Sequence, residues 1–157
     1  VNRLTDQVFY IRENDDWVLK RTQDIFNDKE VVVFGLPGAF TPTCSAFQLP
    51  KFEELYDTFK DLGIDEVYCT SVNDSFVMNA WFEQQGITKV KALPDGNGDF
   101  AKSVNMINDF TNRGFGMRSW RYCMYVKNAE IKVRYTEWVS QKHVLFKILS
   151  KYLMLKK

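Results

Sequence analysis

A short apolar run, followed at once by a Gly/Pro turn and a helix start, is the most informative feature of this sequence. Residues 31–34 are four consecutive apolar residues, a pattern typical of a buried strand. The sequence Gly-Leu-Pro-Gly at 35–38 ends that strand, and Thr41 and Pro42 then open a helix. We expect Thr41 to be the N-cap residue and Pro42 the first helical residue, because the N–H that proline lacks is unpaired there anyway. Cys44 then lies in the first turn.

The predicted position of Cys44 favours a reactive thiol. Unpaired backbone N–H groups and the positive end of the helix dipole favour a thiolate over a thiol. An ordinary thiol, with a pKa of about 8.5, is mostly protonated at neutral pH, and a helix start or a nearby cation lowers that pKa. A free cysteine is more often a small buried hydrophobe, but a strand, a break and a capped helix within a dozen residues favour a reactive thiol here.

The rest of the chain alternates between strand and helix patterns. Strands separated by helical stretches predict an α/β fold with a central, partly parallel sheet. A helix is predicted over 42–62, with a kink at Pro50. The other predicted elements are, in chain order, a hairpin of 8–11 and 17–19, a strand at 66–72, a helix from Asn73 or Asp74 to about 85, a strand at 89–93, a short helix at 100–106, a hairpin of 122–126 and 131–135, and a last helix at 139–155.

Length and composition bound the class of protein. At 157 residues we expect a single domain over 1–157, and 45% hydrophobic with 26% charged residues is ordinary globular composition. A net charge of +1 gives no excess of basic residues for a nucleic acid partner. No apolar run is long enough to cross a bilayer and no signal peptide is visible, so we expect no membrane association and a cytoplasmic location.

Three cysteines and one histidine limit the chemistry further. Cys44, Cys69 and Cys123 are odd in number and include no Cys-x-x-Cys pair, which fits neither a secreted disulfide framework nor a zinc site. A reducing compartment is therefore favoured. A cysteine protease would need His143 as its base, and this residue lies in a lysine-rich stretch near the end of the chain. We expect no metal ion and no other cofactor.

The residues around Cys44 resemble a known family. Residues 37–45 read Pro-Gly-Ala-Phe-Thr-Pro-Thr-Cys-Ser, which is similar to the active-site loop Pro-x-x-x-Thr-x-x-Cys of the peroxiredoxins, in its type II (type-five) form. The resemblance covers roughly residues 8–135 and implies a thioredoxin-like fold, with a central mixed sheet flanked by helices. It continues in Ser-Val-Asn-Asp at 71–74, Phe-Val-Met-Asn-Ala-Trp at 76–81, Pro-Asp-Gly-Asn-Gly at 94–98 and Phe-Gly-Met-Arg-Ser-Trp-Arg-Tyr at 115–122.

The resemblance implies a thiol-dependent peroxidase that reduces hydrogen peroxide and alkyl hydroperoxides. Cys44 would attack the peroxide and become a sulfenic acid, with the Thr41 hydroxyl one turn away and Pro37 excluding water. Arg121 is the family's essential arginine by position, and would lower the thiol pKa and hold the peroxide. Arg118, three residues earlier, is the rival. Each residue also has a structural alternative: a cap for Thr41, a turn for Pro37, and an exposed or ion-paired arginine for Arg121.

The resemblance leaves the recycling step open. Cys69 follows Cys44 by twenty-five residues, the spacing of the second cysteine in plant type II peroxiredoxins, and is the candidate resolving cysteine. A mid-strand cysteine is normally buried, and Cys123 is better explained by packing on the face it shares with Arg121. The family usually has histidine at Gln48, and no cysteine follows Cys123. These departures favour a one-cysteine cycle in which glutathione with glutaredoxin, or thioredoxin, is the reductant.

The resemblance also implies a homodimer, for which Phe115 and Trp120 would suit the interface. A pocket of Phe40, Phe47 and Phe115 would tolerate organic peroxides. Two other functions remain open at this point. One is a non-enzymatic redox sensor that relays the oxidation of Cys44 to a partner protein. The other is a thiol–disulfide oxidoreductase, which the absence of a Cys-x-x-Cys pair disfavours.

Overall fold

A five-stranded mixed sheet lies at the centre of the computed structural model, which describes residues 3–42 and 44–136, and of residues 44–46 the backbone alone. The apolar run at 31–34 belongs to the middle strand, and its side chains have no exposed surface because both faces of the sheet are covered. In spatial order the strands are β5 (Lys91–Pro94), β4 (Glu66–Ser71), β3 (Glu30–Gly35), β8 (Tyr122–Lys127) and β9 (Glu130–Tyr135).

The strand directions confirm the predicted partly parallel sheet. β3 pairs in parallel with β4, and β4 in parallel with β5. On its other side β3 pairs antiparallel with β8, which forms the predicted hairpin with β9. Gly35, the last residue of β3, lies between Thr70 of β4 and Tyr122 of β8. The register therefore sets which residues meet at this end of the sheet.

One face of the sheet is covered by helices that an aromatic stack joins to the middle strand. The ring of Phe34 stacks on Phe52 with 3.8 Å between centroids, and Phe52 lies 6.1 Å from Phe59. All three side chains are buried, and burying each contributes about 2–3 kcal/mol of transfer free energy. The stack fixes the position of the first two of these helices, which are α2 (Cys44–Glu54), α3 (Tyr56–Asp61) and α4 (Ser75–Gln85).

A second apolar layer covers the opposite face. Phe100 packs edge-on against Phe9 at 5.4 Å and parallel to Phe26 at 6.2 Å. The predicted N-terminal hairpin is confirmed, and its turn residues Asn14 and Asp15 both have positive φ, as a tight hairpin turn requires. The elements of this layer are β1 (Val8–Glu13), β2 (Asp16–Arg21), α1 (Thr22–Phe26) and α5 (Asp99–Ser103).

The helix predicted over 42–62 is wrong in two respects. It begins at Cys44, so Pro42 is not its first residue and Thr41 is not its N-cap residue. It is also two helices, since Leu55 interrupts it between α2 and α3. Pro50 lies inside α2 and does not end it. The break at Leu55 lies five residues after Pro50, and the predicted kink at Pro50 stays a prediction.

Several short elements have no counterpart in the sequence prediction. The five-residue helix α1 follows β2 directly, and a hairpin precedes β8. Elements of three to five residues are too short to show a periodicity. The last helix, predicted over 139–155, lies outside the described residues. The unpredicted hairpin consists of β6 (Ile107–Asp109) and β7 (Met117–Ser119), with a single 3-10 turn (Thr111–Arg113) between them.

A buried carboxylate lies between β5 and α5. Asp95 is 7% exposed, and it accepts hydrogen bonds from the backbone N–H groups of Phe100 at 2.9 Å and Ala101 at 2.8 Å. Burial raises the pKa of Asp95 to about 6, although these two hydrogen bonds act in the opposite direction. The folded protein therefore binds this proton more tightly than the unfolded chain does. The resulting stabilisation is full below pH about 4, the ordinary range of the group, and is lost as the pH rises through about 6.

We predict that Asp95→Asn removes this pH dependence. The amide keeps an acceptor oxygen but does not titrate, so the variant should gain stability relative to the wild type by about 2–3 kcal/mol between pH 4 and pH 7. Urea unfolding across this range measures the difference, with the exposed Asp61→Asn as the matched control. If the free energies of unfolding of the wild type and Asp95→Asn change in parallel with pH, the raised pKa of Asp95 is contradicted.

Candidate active site

The site lies where β3 ends, and a glycine there allows a close approach. Gly35 pairs with Tyr122, and a β-carbon at position 35 would lie 2.2 Å from Cε1 of the Tyr122 ring. Only glycine fits this contact. Because β3 and β8 are antiparallel, the chain that leaves Gly35 toward Pro37 runs beside the chain that enters Tyr122 from Arg121. The pairing therefore brings two predicted site residues to one edge of the sheet.

The loop after β3 is held by side chains from two other segments. The backbone N–H of Ala39 donates to Oδ1 of Asn73 at 2.9 Å, and the Ser71 hydroxyl donates to the same oxygen at 2.8 Å. From the other side Arg118 Nη1 donates to the Pro37 carbonyl at 3.1 Å. Phe40 has a φ of +61°, in the left-handed region. The loop is thus fixed in one conformation by polar contacts at both ends.

Thr41 closes a tight turn before the helix. Its hydroxyl donates to the Gly38 carbonyl at 2.6 Å, and its backbone N–H points to the same oxygen at 3.4 Å. Thr41 is half-buried and lies three residues before α2. The predicted contact of its hydroxyl with the thiol or the peroxide stays a prediction.

Cys44 is the first residue of α2. The backbone N–H groups of the first helical turn have no partner within the helix, and the helix dipole places partial positive charge there. The first turn of α2 contains no acidic residue. The backbone around position 44 therefore favours a negative charge.

Arg121 is hydrogen-bonded to a residue of α2. Its Nη1 donates to Oε1 of Gln48 at 3.1 Å. Gln48 is 5% exposed and lies one helical turn after Cys44. Four residues apart, positions 44 and 48 lie on the same face of the helix. The guanidinium is therefore held at the helix face that carries position 44.

The two arginines that sequence reasoning left as rivals have different surroundings. Arg118 donates Nε to the Phe115 carbonyl at 3.1 Å and Nη1 to Pro37, and its guanidinium lies 5.4 Å from the centroid of the Phe115 ring. Its Nη1 also lies 2.3 Å from where a β-carbon at Gly38 would be. Arg118 thus holds the loop at Pro37, whereas Arg121 contacts α2.

A cleft of about 350 Å³ joins the predicted residues Pro37 and Arg121. Its aromatic walls are Phe110 and Trp120, whose rings meet edge to face at 5.3 Å. This cleft does not include Phe40, Phe47 or Phe115: the first two are exposed and the third lies under Arg118, so the predicted pocket of these three rings stays a prediction. The remaining lining residues are polar and come from β6 and the 3-10 turn: Asn108, Asp109, Asn112 and Arg113.

The two other cysteines lie in the core, on either side of Phe34. Cys69 of β4 and Cys123 of β8 both pair in register with this residue, and neither is more than 3% exposed. Burial raises the pKa of both thiols well above the ordinary value. Two strand spacings separate them, about 9.6 Å, which is beyond the reach of a disulfide. Neither thiol is prepared for attack at neutral pH.

Sequence reasoning gave no role to two residues that hold this site. Gln48 was noted only as a departure from the family pattern, and Asn73 only as a helix cap. Asp74 is the cap of α4, accepting from Val77 N–H at 2.9 Å, while Asn73 holds the loop. The signal for Asn73 was its place just after β4, since neighbouring parallel strands end at the same edge.

Within residues 3–42 and 44–136, His, Cys, Asp and Glu side chains form no group of three that could hold a metal ion. In the same part of the chain, no helix has the length and apolar character needed to cross a membrane.

Comparison with known sequences gives one family. The Redoxin family profile matches residues 11–149. A peroxiredoxin of Synechocystis is 47% identical over 144 residues, covering 86% of this chain and 76% of the relative. The hybrid peroxiredoxin hyPrx5 of Haemophilus influenzae is 46% identical over 129 residues, covering 82% of this chain. The chain spans 54% of the length of that hybrid protein.

Comparison with solved structures agrees. Peroxiredoxin 5 of Alvinella pompejana superposes with a TM-score of 0.84 at 28% identity, covering 96% of this chain and 97% of that one. Reduced Prx3 of Vibrio vulnificus in complex with hydrogen peroxide gives 0.82 at 35%, covering 88% and 87%. The 1-Cys peroxiredoxin of Plasmodium falciparum gives 0.81 at 34%, covering 88% and 85%.

The predicted thioredoxin-like fold, a mixed sheet flanked by helices, is therefore confirmed. The family profile matches most of the chain, and the Synechocystis relative is 47% identical in sequence. The resemblance therefore extends well beyond the Cys44 loop. The chain belongs to the peroxiredoxins, the thiol-dependent peroxidases, and among them to the type II (type-five) subfamily.

Proposed function

We propose that Cys44 reduces hydrogen peroxide and small alkyl hydroperoxides. The observation that carries the proposal is the meeting of three features at one edge of the sheet: the start of α2 at Cys44, the Pro37 loop, and Arg121 held by Gln48. The thiolate sulfur attacks one peroxide oxygen as the O–O bond breaks, giving a sulfenic acid. The other oxygen leaves with a proton as water or an alcohol.

The mostly polar lining of the cleft favours a small or polar peroxide as the substrate. Arg121 can hold the peroxide oxygens and stabilise the charge that develops on the leaving oxygen. Thr41 is proposed to orient the peroxide, and Pro37 forms part of the wall. The Vibrio relative binds hydrogen peroxide in its structure, which supports the same substrate here.

We propose a one-cysteine cycle. The candidate resolving residue Cys69 is fully buried, and burial raises its thiol pKa, so it is protonated and closed to solvent. For Cys69 to attack a sulfenic acid, β4 would have to leave its place between β5 and β3. A relative from Plasmodium falciparum is described as a 1-Cys peroxiredoxin, which is consistent with this cycle.

The external reductant is proposed to be glutathione with glutaredoxin, or thioredoxin. A first thiol attacks the sulfenic sulfur, releases water and leaves a mixed disulfide on Cys44. A second thiol breaks that disulfide, so that two reductant thiols are oxidised to one disulfide and the Cys44 thiolate returns. We also propose a cytoplasmic location, because glutathione and thioredoxin keep thiols reduced in that compartment.

A homodimer is proposed from the surface around the site. Four large apolar side chains are about half-exposed or more on the segments next to the cleft: Phe40, Phe47, Met117 and Trp120. Aromatic residues and methionine are enriched in the cores of protein interfaces. The predicted contribution of Trp120 fits this surface, while Phe115 is half-buried under Arg118.

We predict that Cys44→Ser abolishes peroxide turnover with dithiothreitol as reductant, because serine cannot supply a nucleophile that is ionised at neutral pH. Cys69→Ala and Cys123→Ala should each keep the wild-type rate within about threefold, because alanine fits a buried apolar site. Peroxide consumption measures the rates, and intact mass after one equivalent of peroxide identifies the product.

The expected product is a protein with one added oxygen on Cys44. Two outcomes would contradict the proposed cycle. Turnover by Cys44→Ser would remove the peroxidatic role of this residue. Loss of two hydrogens in the wild type, absent from Cys69→Ala, would show an internal disulfide and hence a two-cysteine cycle.

We predict that Phe47→Asp dissociates the dimer. Phe47 is 69% exposed, so the substitution leaves the core intact while it places a charge in the proposed interface. Leu19→Asp is the matched control, since Leu19 is 58% exposed but lies on β2. Sedimentation velocity at micromolar concentration should give a monomer for Phe47→Asp alone. A wild-type monomer, or a dimer that survives Phe47→Asp, would contradict the assignment.

A further inference from the structure

Among the described side chains of α2, Gln48 is polar and buried near the site. It is 5% exposed, on the helix that packs against β3 through Phe52. Burying an amide costs free energy unless its polar atoms find partners. The amide oxygen accepts from Nη1 of Arg121 at 3.1 Å. The contact therefore offsets part of the cost of placing a glutamine in the interior.

We infer that Gln48 is a positioning residue, which orients Arg121 at the start of α2 without neutralising its charge. The inference rests on the proposed peroxidase function of Cys44. Arg121 comes from the segment before β8, and this contact ties it to the helix that carries position 44 one turn earlier. Gln48 acts through the guanidinium and not on the substrate itself.

The choice of a carboxamide follows from electrostatics. A neutral oxygen accepts the guanidinium N–H and fixes its direction, and the full positive charge of Arg121 still acts on its surroundings. A carboxylate at the same position would also accept the hydrogen bond, but its negative charge would disfavour a thiolate nearby and raise the thiol pKa. An apolar residue would leave the charge in place and remove the acceptor.

The distribution of charge along α2 fits this assignment. Its two acidic residues, Glu53 and Glu54, lie at its far end, and its first turn has none. The carboxylate of Glu53 accepts from the backbone N–H groups of Thr88 at 2.9 Å and Val90 at 2.8 Å, which holds it away from the site. The start of the helix thus keeps a positive potential, and Gln48 does not reduce it.

Two substitutions separate orientation from charge. Gln48→Leu removes the acceptor and keeps the neutral charge, whereas Gln48→Glu keeps the acceptor and adds a negative charge. Gln84→Leu, at an exposed position of α4, is the matched control. For each variant, the alkylation rate of Cys44 by iodoacetamide against pH gives the thiol pKa, and stopped flow gives the rate constant with hydrogen peroxide.

For Gln48→Leu we expect the peroxide rate constant to fall about tenfold while alkylation changes by less than about threefold, because orientation is lost and charge is kept. For Gln48→Glu we expect the thiol pKa to rise by about one unit. Both of its rates should then fall at neutral pH and recover at high pH. Gln84→Leu should match the wild type in both reactions.

A Gln48→Leu variant with the wild-type peroxide rate would overturn the positioning role, and so would a Gln48→Glu variant with an unshifted alkylation profile. Failure of the proposed function is a different result, namely a wild-type protein that alkylates at Cys44 but turns over no peroxide. The alkylation profile of Gln48→Glu then still tests the effect of residue 48 on the thiol.

Discussion

The register between β3 and β8 is the constraint on which the site depends. Gly35 pairs with Tyr122, and the Tyr122 ring lies so close that no β-carbon fits at position 35. This pairing places the Pro37 loop beside Arg121, because the two strands run in opposite directions. A slip of one residue would move Arg121 to the other face of the sheet and separate it from α2. The contact that terminates the central strand therefore also assembles the site.

Environment, and not residue type, distinguishes the three thiols of this chain. Cys69 and Cys123 lie in the core beside Phe34, where burial raises their pKa. Cys44 lies at a helix start, close to a cleft that contains a guanidinium. Buried thiols are chemically inert, and a helix dipole with a nearby cation favours the thiolate. One fold thus holds two buried cysteines and a third at a helix start, where we propose that the reactive thiol lies.

The elements that sequence patterns predicted well are those with strong local signals. The apolar run of β3, the hairpin turn at Asn14, and the start of α4 after Asp74 follow from local chemistry. The start of α2 was misplaced by two residues, because the Thr41 hydroxyl is used in the turn at Gly38. The partners of Arg118, Gln48 and Asn73 depend on contacts between segments far apart in the chain, which no local pattern contains.

The most direct test is the pKa of the Cys44 thiol, measured by ultraviolet absorbance of the thiolate in a Cys69→Ala/Cys123→Ala background. We expect a value at least about one unit below the ordinary 8.5, because Cys44 is the first residue of α2 and Gln48 holds the Arg121 guanidinium at the helix face that carries position 44. Arg121→Gln should raise it toward that ordinary value. If the Cys44 thiol titrates like free cysteine and Arg121→Gln does not change its pKa, then neither the helix start nor Arg121 stabilises the thiolate, which contradicts this account.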